Sequence, residues 1–294
     1  MLKDISIIFL SIFFESLPFL LLGSLISSII ETFVSNETLA RVIPKNKILG
    51  SIVGIILGFF LPACDCAVIP VAKRLIKKKV PINVAVSFML ASPIINPVVL
   101  LSTYHAFYKT NPNIFFMRII LGVVISLIIG IILGIIYSKD DVVINNKDDS
   151  CCHNHENCDA ENKNYFISIV KHTALDLFEV LKYLMIGALL ASLVQVLLPR
   201  DILIMFSNNK VLSIITLMLF AYLISLCSTS DSFVGKSLSS SFINQSIMAY
   251  LLLGPMIDIK NTLVLFGNYK KSFVISLISL IFITIFILSL VVKI

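Results

Sequence analysis

Charged residues are scarce in this sequence. They make up 14% of the 294 residues, against about 25% in an average soluble protein. Hydrophobic residues make up 58%, and the mean hydropathy is +1.00. This composition excludes an ordinary soluble domain and predicts an all-α polytopic membrane protein.

Two further absences narrow the function. The sequence has no glycine-rich phosphate loop with its lysine, so we do not expect this chain to use ATP, and a gradient would have to drive any solute movement. The six cysteines show no framework typical of a secreted disulfide protein. They are therefore predicted to be reduced thiols or ligands.

Long apolar stretches fill most of the chain. About 20 apolar residues cross a bilayer as an α-helix, and by this measure we predict about eight transmembrane segments. The predicted segments cover residues 5–30, 48–72, 81–107, 114–137, 165–198, 211–226, 243–266 and 272–292.

Landmark residues of the first half recur in the second half at nearly constant offsets of 164, 163, 162 and 162 residues. This self-similarity predicts two homologous four-segment repeats, residues 1–138 and 165–294, joined by a polar linker at 139–164. The matched pairs are Glu15 with Glu179, Cys64 with Cys227, Pro93 with Pro255, and Asn96 with Asp258.

Each half carries two polar interruptions in its apolar segments. Pro62 and Pro70 bracket the first one, and because proline removes a helical donor, we predict non-helical backbone between them. Matching broken helices in repeated halves indicate a binding site near the bilayer midplane. Four full crossings per half would make the repeats parallel, whereas a re-entrant hairpin would make them inverted, and both topologies stay open.

The first interruption places two thiols and a carboxylate at membrane depth, in Cys64, Asp65 and Cys66. A charge at the bilayer centre costs at least about 2.5 kcal/mol, so Asp65 is predicted to be functional. Thiolates bind soft ions, and a carboxylate can hold charge or carry a proton. The matching stretch of the second half supplies Cys227 and Asp231.

The second interruption lies at a Pro-x-x-Asn or Pro-x-x-Asp sequence in each half. Its prolines free backbone carbonyls, which are tolerated at depth where they line a cavity. We therefore expect Asn96 and Asp258 to point into that cavity. The predicted substrate-binding residues are Cys64, Asp65, Cys66, Asn96, Cys227, Asp231 and Asp258.

The linker contains a cluster of thiols and imidazoles within eight residues. Zinc and copper(I) accept both donors, although the spacing matches no closed zinc-finger pattern. We predict accessory capture of a soft metal or metalloid here, and the alternative is a flexible tether of accidental composition. The candidate ligands are Cys151, Cys152, His153, His155 and Cys158.

Three motifs occur in order along the chain, namely Leu61-Pro-Ala-Cys-Asp-Cys-Ala-Val-Ile-Pro, Phe88-Met-Leu-Ala-Ser-Pro-Ile-Ile-Asn-Pro and Leu253-Gly-Pro-Met-Ile-Asp-Ile-Lys-Asn-Thr. They resemble motifs of the ArsP/YraQ-type predicted permeases, and the resemblance covers nearly the whole chain. The family implies an integral permease of the bacterial cytoplasmic membrane. Some of its members export trivalent organoarsenicals, and others are thought to work with a second, smaller membrane protein.

We predict a permease in the lipid bilayer that exports a soft metal ion or a trivalent arsenical, with a second small membrane subunit as partner. We expect neither enzymatic activity nor a nucleic-acid partner. One alternative is a membrane-embedded dithiol oxidoreductase that uses Cys64 and Cys66, although their apolar flanks have no adjacent histidine to lower the thiol pKa. The other alternative is a metal-binding scaffold that acts through the linker.

Overall fold

The computed structural model describes residues 2–33, 44, 46–61, 65–138, 141–143, 165–197 and 209–292. Within these ranges the chain forms α-helices and no strand, which confirms the predicted all-α fold. The helices are α1 (Leu2–Phe33), α2 (Lys47–Phe60), α3 (Asp65–Lys77), α4 (Ile82–Ile95), α5 (Pro97–Phe107), α6 (Asn113–Ile136), α7 (Tyr165–Leu197), α8 (Lys210–Ile224), α9 (Ser228–Leu238), α10 (Asn244–Met256), α11 (Ile259–Asn268) and α12 (Lys271–Val291).

Six stretches of the described helices are long and apolar enough to cross a membrane. They are most of α1, α4 together with α5, α6, the second half of α7, α10 together with α11, and α12. The apolar helices α2 and α8 have only 14 and 15 residues. The predicted number of about eight segments is therefore not confirmed. In the predicted segments 48–72 and 211–226 the apolar helix, α2 or α8, is short, and a separate polar helix, α3 or α9, begins after it.

Prolines do not mark the ends of the helices in the way that we expected. Pro70 lies inside α3, so the prediction of non-helical backbone up to Pro70 is wrong from Asp65 onward. Pro93 and Pro255 likewise lie inside α4 and α10. Helices in membrane proteins tolerate proline because neighbouring groups satisfy the freed carbonyls. The breaks come three residues after these last two prolines, at Asn96 and Asp258.

The two helix pairs that contain these breaks form the centre of the protein. Among the 18 residues of the most apolar part of each span, 83% are buried in α10 with α11 and 78% in α4 with α5, whereas only 17% are buried in α1. In the first half α2, α4 and α6 pack together, as α8, α10 and α12 do in the second half. Across the halves, α1 packs on α7, α3 on α11, and α9 on α5.

The short segment 141–143 that follows α6 packs against the second half. Val143 forms an isolated antiparallel bridge with Tyr269, and the backbone N–H of Lys270 donates to the Val142 carbonyl at 2.9 Å. The Tyr269 hydroxyl in turn donates to the Ile69 carbonyl of α3 at 3.1 Å. The chain that leaves the first half is thus fixed beside α3.

Candidate functional site

The N-terminal ends of three short helices meet inside the protein. The Ser228 hydroxyl, at the start of α9, donates to Oδ1 of Asp65, at the start of α3, over 2.8 Å. The thiol of Cys66 donates to Oδ1 of Asn261, in the first turn of α11, over 3.4 Å. Helix N-termini present unpaired N–H groups and the positive end of the helix dipole. They therefore stabilise buried carboxylates such as that of Asp65.

A narrow cavity lies beside these helix ends and has room for about one water molecule. Residues from both halves line it, and two of them carry thiols. Glu15, which is exposed, contributes from the side of α1. The full lining comprises Ile12, Glu15, Ser16, Phe19, Asp65, Cys66, Ser225, Cys227 and Lys260.

Charges on the α11 side of the cavity are paired. Asp258 caps α11, since its Oδ1 accepts from the Asn261 N–H at 2.6 Å. Its other oxygen, Oδ2, lies 3.6 Å from Nζ of Lys260, and both side chains are at most 5% exposed. Sequence analysis left Lys260 out of the predicted site, although its position two residues after Asp258, in the first turn of a helix, was a usable signal.

Matched glycines allow α1 and α7 to approach these helices closely. A Cβ atom added at Gly23 would lie 2.8 Å from the Cα atom of Ala67 in α3. A Cβ atom added at Gly187 would lie 2.8 Å from the Cα atom of Lys260 in α11. Any larger residue at either position would push a long helix away from the wall of the cavity.

Asp231 belongs to a different cluster, which also contains a fully buried arginine. Oδ1 of Asp231 accepts from the Tyr250 hydroxyl at 3.1 Å. Nη1 of Arg118 donates to the hydroxyls of Thr103 and Ser232 at 2.6 and 2.9 Å. Sequence analysis missed Arg118, even though it is the one charged residue in the apolar segment 114–137.

Asn96 has a structural role in the break between α4 and α5. Its side-chain oxygen accepts from the Val98 N–H at 3.0 Å and so caps α5. Asn96 is 6% exposed and does not line the cavity.

The comparisons with known proteins agree with this architecture. A family model described as a predicted permease, of the ArsP type, matches residues 1–294. The chain belongs to this predicted permease family. The permease is 39% identical over 293 residues to UPF0718 protein YcgR of Bacillus subtilis (strain 168), with 97% of this chain and 96% of the relative covered.

A second relative comes from Streptococcus mutans serotype c (strain ATCC 700610 / UA159). It is named as a predicted two-component membrane permease complex subunit and is 34% identical over 271 residues, with 92% of this chain and 89% of the relative covered. No solved structure matches the permease. The family and the six apolar spans make this chain a multi-pass membrane protein.

Three of the predicted substrate-binding residues come together in the permease, because Asp65, Cys66 and Cys227 line one cavity. Asp258 does not line this cavity but contacts Lys260, which does. Asn96 and Asp231 lie elsewhere. Cys64 and the five linker residues Cys151, Cys152, His153, His155 and Cys158 fall outside the described residues. Their roles, and the oxidoreductase and scaffold alternatives that depend on them, stay predictions.

Within the described part of the chain, no group of three or more His, Cys, Asp or Glu side chains is placed to hold a metal ion. The cavity residues of the permease instead combine two thiols with two carboxylates and an ammonium group. Such a set can bind a soft centre through sulfur while it balances charge within the protein.

Proposed function

We propose that this permease exports a soft, thiophilic solute, either a trivalent arsenical or a soft metal ion, down or against a gradient without using ATP. One observation carries the proposal: Cys66 of the first half and Cys227 of the second half line the same narrow cavity. Thiolate ligands select soft ions, and thiols drawn from both halves would let a bound solute bridge them. The family resemblance favours export as the direction.

Solute entry requires the helix ends to separate, because the cavity has room for only about one water molecule. Two of the contacts across these helix ends are Ser228 with Asp65 and Cys66 with Asn261. Both contacts join helices of opposite halves. A rocking motion of one half against the other, as in other permeases with broken helices, would open the cavity by breaking them.

We also propose that the two halves are homologous repeats. Matched hydrogen bonds support this idea: Asn83 meets Ser51 between α4 and α2, and Ser246 meets Ser213 between α10 and α8. The two contacts differ by offsets of 163 and 162 residues. The exchange of short helices between halves, α3 onto α11 and α9 onto α5, is the pattern that a two-fold relation would produce.

A second, smaller membrane subunit is part of the proposal. The name of the Streptococcus mutans relative, a two-component permease complex subunit, supports it. The tagged chain is extracted from its own host membrane and analysed by native mass spectrometry. We expect a complex whose mass is not a whole-number multiple of the 32.6 kDa chain, because it also contains the second subunit. The same chain expressed in a foreign host is the control, and identical masses in both preparations would contradict the subunit.

Export is tested in a deletion strain that carries wild type, Cys66→Ser, Cys227→Ser or the double variant. Cells are loaded with arsenite, methylarsenite, zinc or copper, and the retained element is measured by mass spectrometry. We expect wild type to lower retention of at least one of these solutes and the double variant to lose that effect. A variant with Cys151, Cys152 and Cys158 changed to serine controls for general loss of thiols. Full export by the double variant would overturn the thiol site.

A further inference from the structure

A second polar cluster is sealed inside the protein, apart from the cavity. Arg118 of α6 and Asp231 of α9 are 0% and 2% exposed. Arg118 donates to Thr103 of α5 and Ser232 of α9, while Tyr250 of α10 donates to Asp231. The cluster therefore joins α5 and α6 of the first half to α9 and α10 of the second.

The two charged groups of this cluster are incompletely satisfied. Nε and Nη2 of Arg118 and Oδ2 of Asp231 have no hydrogen-bond partner among the residues that the structure describes. A buried polar atom without a partner is costly, and more so when its group is charged. Arg118 exerts the strongest charge attraction on Asp231, yet no hydrogen bond joins them in this state.

A glycine packs against the unpartnered carboxylate oxygen. A Cβ atom added at Gly254 of α10 would lie 2.7 Å from Oδ2 of Asp231, so any larger residue would crowd that oxygen. Because Oδ2 is itself buried, the space beside it suits nothing larger than a proton.

We propose that Asp231 binds a proton and that this proton is the coupling ion of the permease. The inference rests on the proposed function, because a permease that does not use ATP needs an ion gradient to drive accumulation or export. Buried carboxylates in membrane proteins recur as proton-carrying groups. A proton neutralises Asp231 at Oδ2 without displacing any neighbour.

A metal cation such as sodium fits this cluster less well. Sodium would need several oxygen ligands, and the hydroxyls of the cluster are already engaged, since Tyr250 donates to Asp231 and both Thr103 and Ser232 accept from Arg118. The Arg118 guanidinium would also repel a metal cation bound beside Asp231. A proton needs only one oxygen and is therefore the ligand that these contacts favour.

Protonation of Asp231 would control its attraction to Arg118 and hence a link between the halves. An ionised Asp231 attracts the unsatisfied Nε and Nη2 donors of Arg118, whereas a neutral one releases them. Ser228 and Ser232 lie one turn apart on α9, and the first donates to Asp65 of the cavity while the second accepts from Arg118. A solute bound beside Asp65 and a proton bound at Asp231 would therefore act on the same short helix, which gives the two sites a physical route to coupling.

Other groups near Asp231 do not replace Arg118 in this role. From α11, Asp258 and Lys260 act on Asp231 with opposite signs and are paired with each other. Tyr250 faces it from α10, and the face of α5 that meets α9 presents hydroxyls. Lys236, on α9 itself, lies over the Phe107 ring of α5.

Infrared spectroscopy of the full chain in lipid nanodiscs tests proton binding without any transported solute. Ordinary carboxylates stay ionised between about pH 8 and pH 6, so in this range we expect acidification to produce a carboxylic-acid C=O band in wild type that is missing from the difference spectrum of Asp231→Asn. Asp258→Asn removes another buried carboxylate and should keep the band, with folding of each variant checked by size-exclusion chromatography. A difference band of unchanged intensity in Asp231→Asn would overturn the proton site.

Coupling is tested in vesicles with an imposed pH gradient, a trapped pH indicator and arsenite as the probe. We expect wild type to move protons together with arsenite. In Asp231→Asn this proton flux should be at least about tenfold lower, which corresponds to about 1.4 kcal/mol in the activation free energy of transport. Arsenite movement driven by a sodium gradient alone would overturn the proposal. If the infrared band behaves as expected but no cargo moves, the proton site stands and the proposed function fails.

Discussion

Helix α3 meets α11 through a thiol and an ammonium group, and helix α9 meets α5 through a hydroxyl and an ammonium group. In the first pair Cys66 and Lys73 each donate to an asparagine side chain. In the second pair Ser232 contacts a threonine and Lys236 lies over a phenylalanine ring. The first crossing borders the cavity, whereas the second is sealed. Two crossings of similar build thus differ in their access to the cavity, and we propose the first for a solute and the second for an ion.

The largest effect is expected at the sealed crossing. Arg118→Ala removes a fully buried guanidinium and its bonds to Thr103 and Ser232, which should destabilise the protein by about 3–5 kcal/mol because Asp231 loses its counter-charge. Thermal unfolding of the purified protein in detergent measures this loss. Lys236→Ala, on the same crossing, is the control and should cost only about 0.5–1 kcal/mol, since it removes a single contact with an aromatic ring.

Substitutions at the crossing of α3 and α11 should destabilise the protein less, and the two variants below should differ in the size of the loss. Asn268→Ala removes an acceptor of the buried Lys73 ammonium at 3.0 Å and should cost about 1.5–3 kcal/mol. Asn261→Ala removes only the acceptor of the weak thiol donor Cys66, so it should be milder. Unfolding temperatures of the two variants, measured side by side, check the order. Equal losses would mean that the ammonium bond contributes no more than the thiol bond.

Alanine substitutions at Gly254 of α10 and Gly235 of α9 should differ in their effect on stability, because only the first crowds the Asp231 carboxylate. Gly254→Ala places a methyl group 2.7 Å from Oδ2 of Asp231 and should cost about 1–3 kcal/mol through overpacking. Gly235→Ala meets only the end of the flexible Leu251 side chain, at 3.0 Å, and should cost less. Chemical denaturation of both variants provides the measurement, and a larger loss for Gly235→Ala would contradict the tight space around Asp231.

The smallest effect is a difference in thiol reactivity across the cavity. Cys227 is partly exposed, whereas Cys66 is 2% exposed and bonded to Asn261. In backgrounds that lack Cys64, the three linker cysteines and one of the two cavity cysteines, maleimide should therefore label Cys227 faster than Cys66, because labelling requires access to the sulfur. Mass spectrometry over time follows the reaction. Faster labelling of Cys66 would show that the cavity opens from the α3 side.

Sequence patterns predicted the all-α fold and the meeting of Asp65, Cys66 and Cys227, because charges and thiols at membrane depth need an enclosed site. The same patterns could not find the role of Arg118. Its hydroxyl partners lie 15 and 114 residues away in the chain. Pairing over such distances depends on tertiary packing, which a hydropathy pattern does not describe.

Helix ends were also hard to predict from proline alone. The proline rule misplaced the start of α3, since Pro70 is accommodated inside that helix. Asn96 and Asp258 were expected to face the cavity as polar residues at a break, but both serve as N-caps. Asparagine and aspartate are among the preferred N-cap residues, so their identity indicated a helix start as strongly as it indicated a ligand.

The bridge between Val143 and Tyr269 has a mechanical consequence. Because the Tyr269 hydroxyl donates to the Ile69 carbonyl, the segment at 141–143 is tethered through Tyr269 to α3, within about one turn of Cys66. Any movement of α3 that widens the cavity must therefore either break this hydrogen bond or carry along the start of the connection between the two halves.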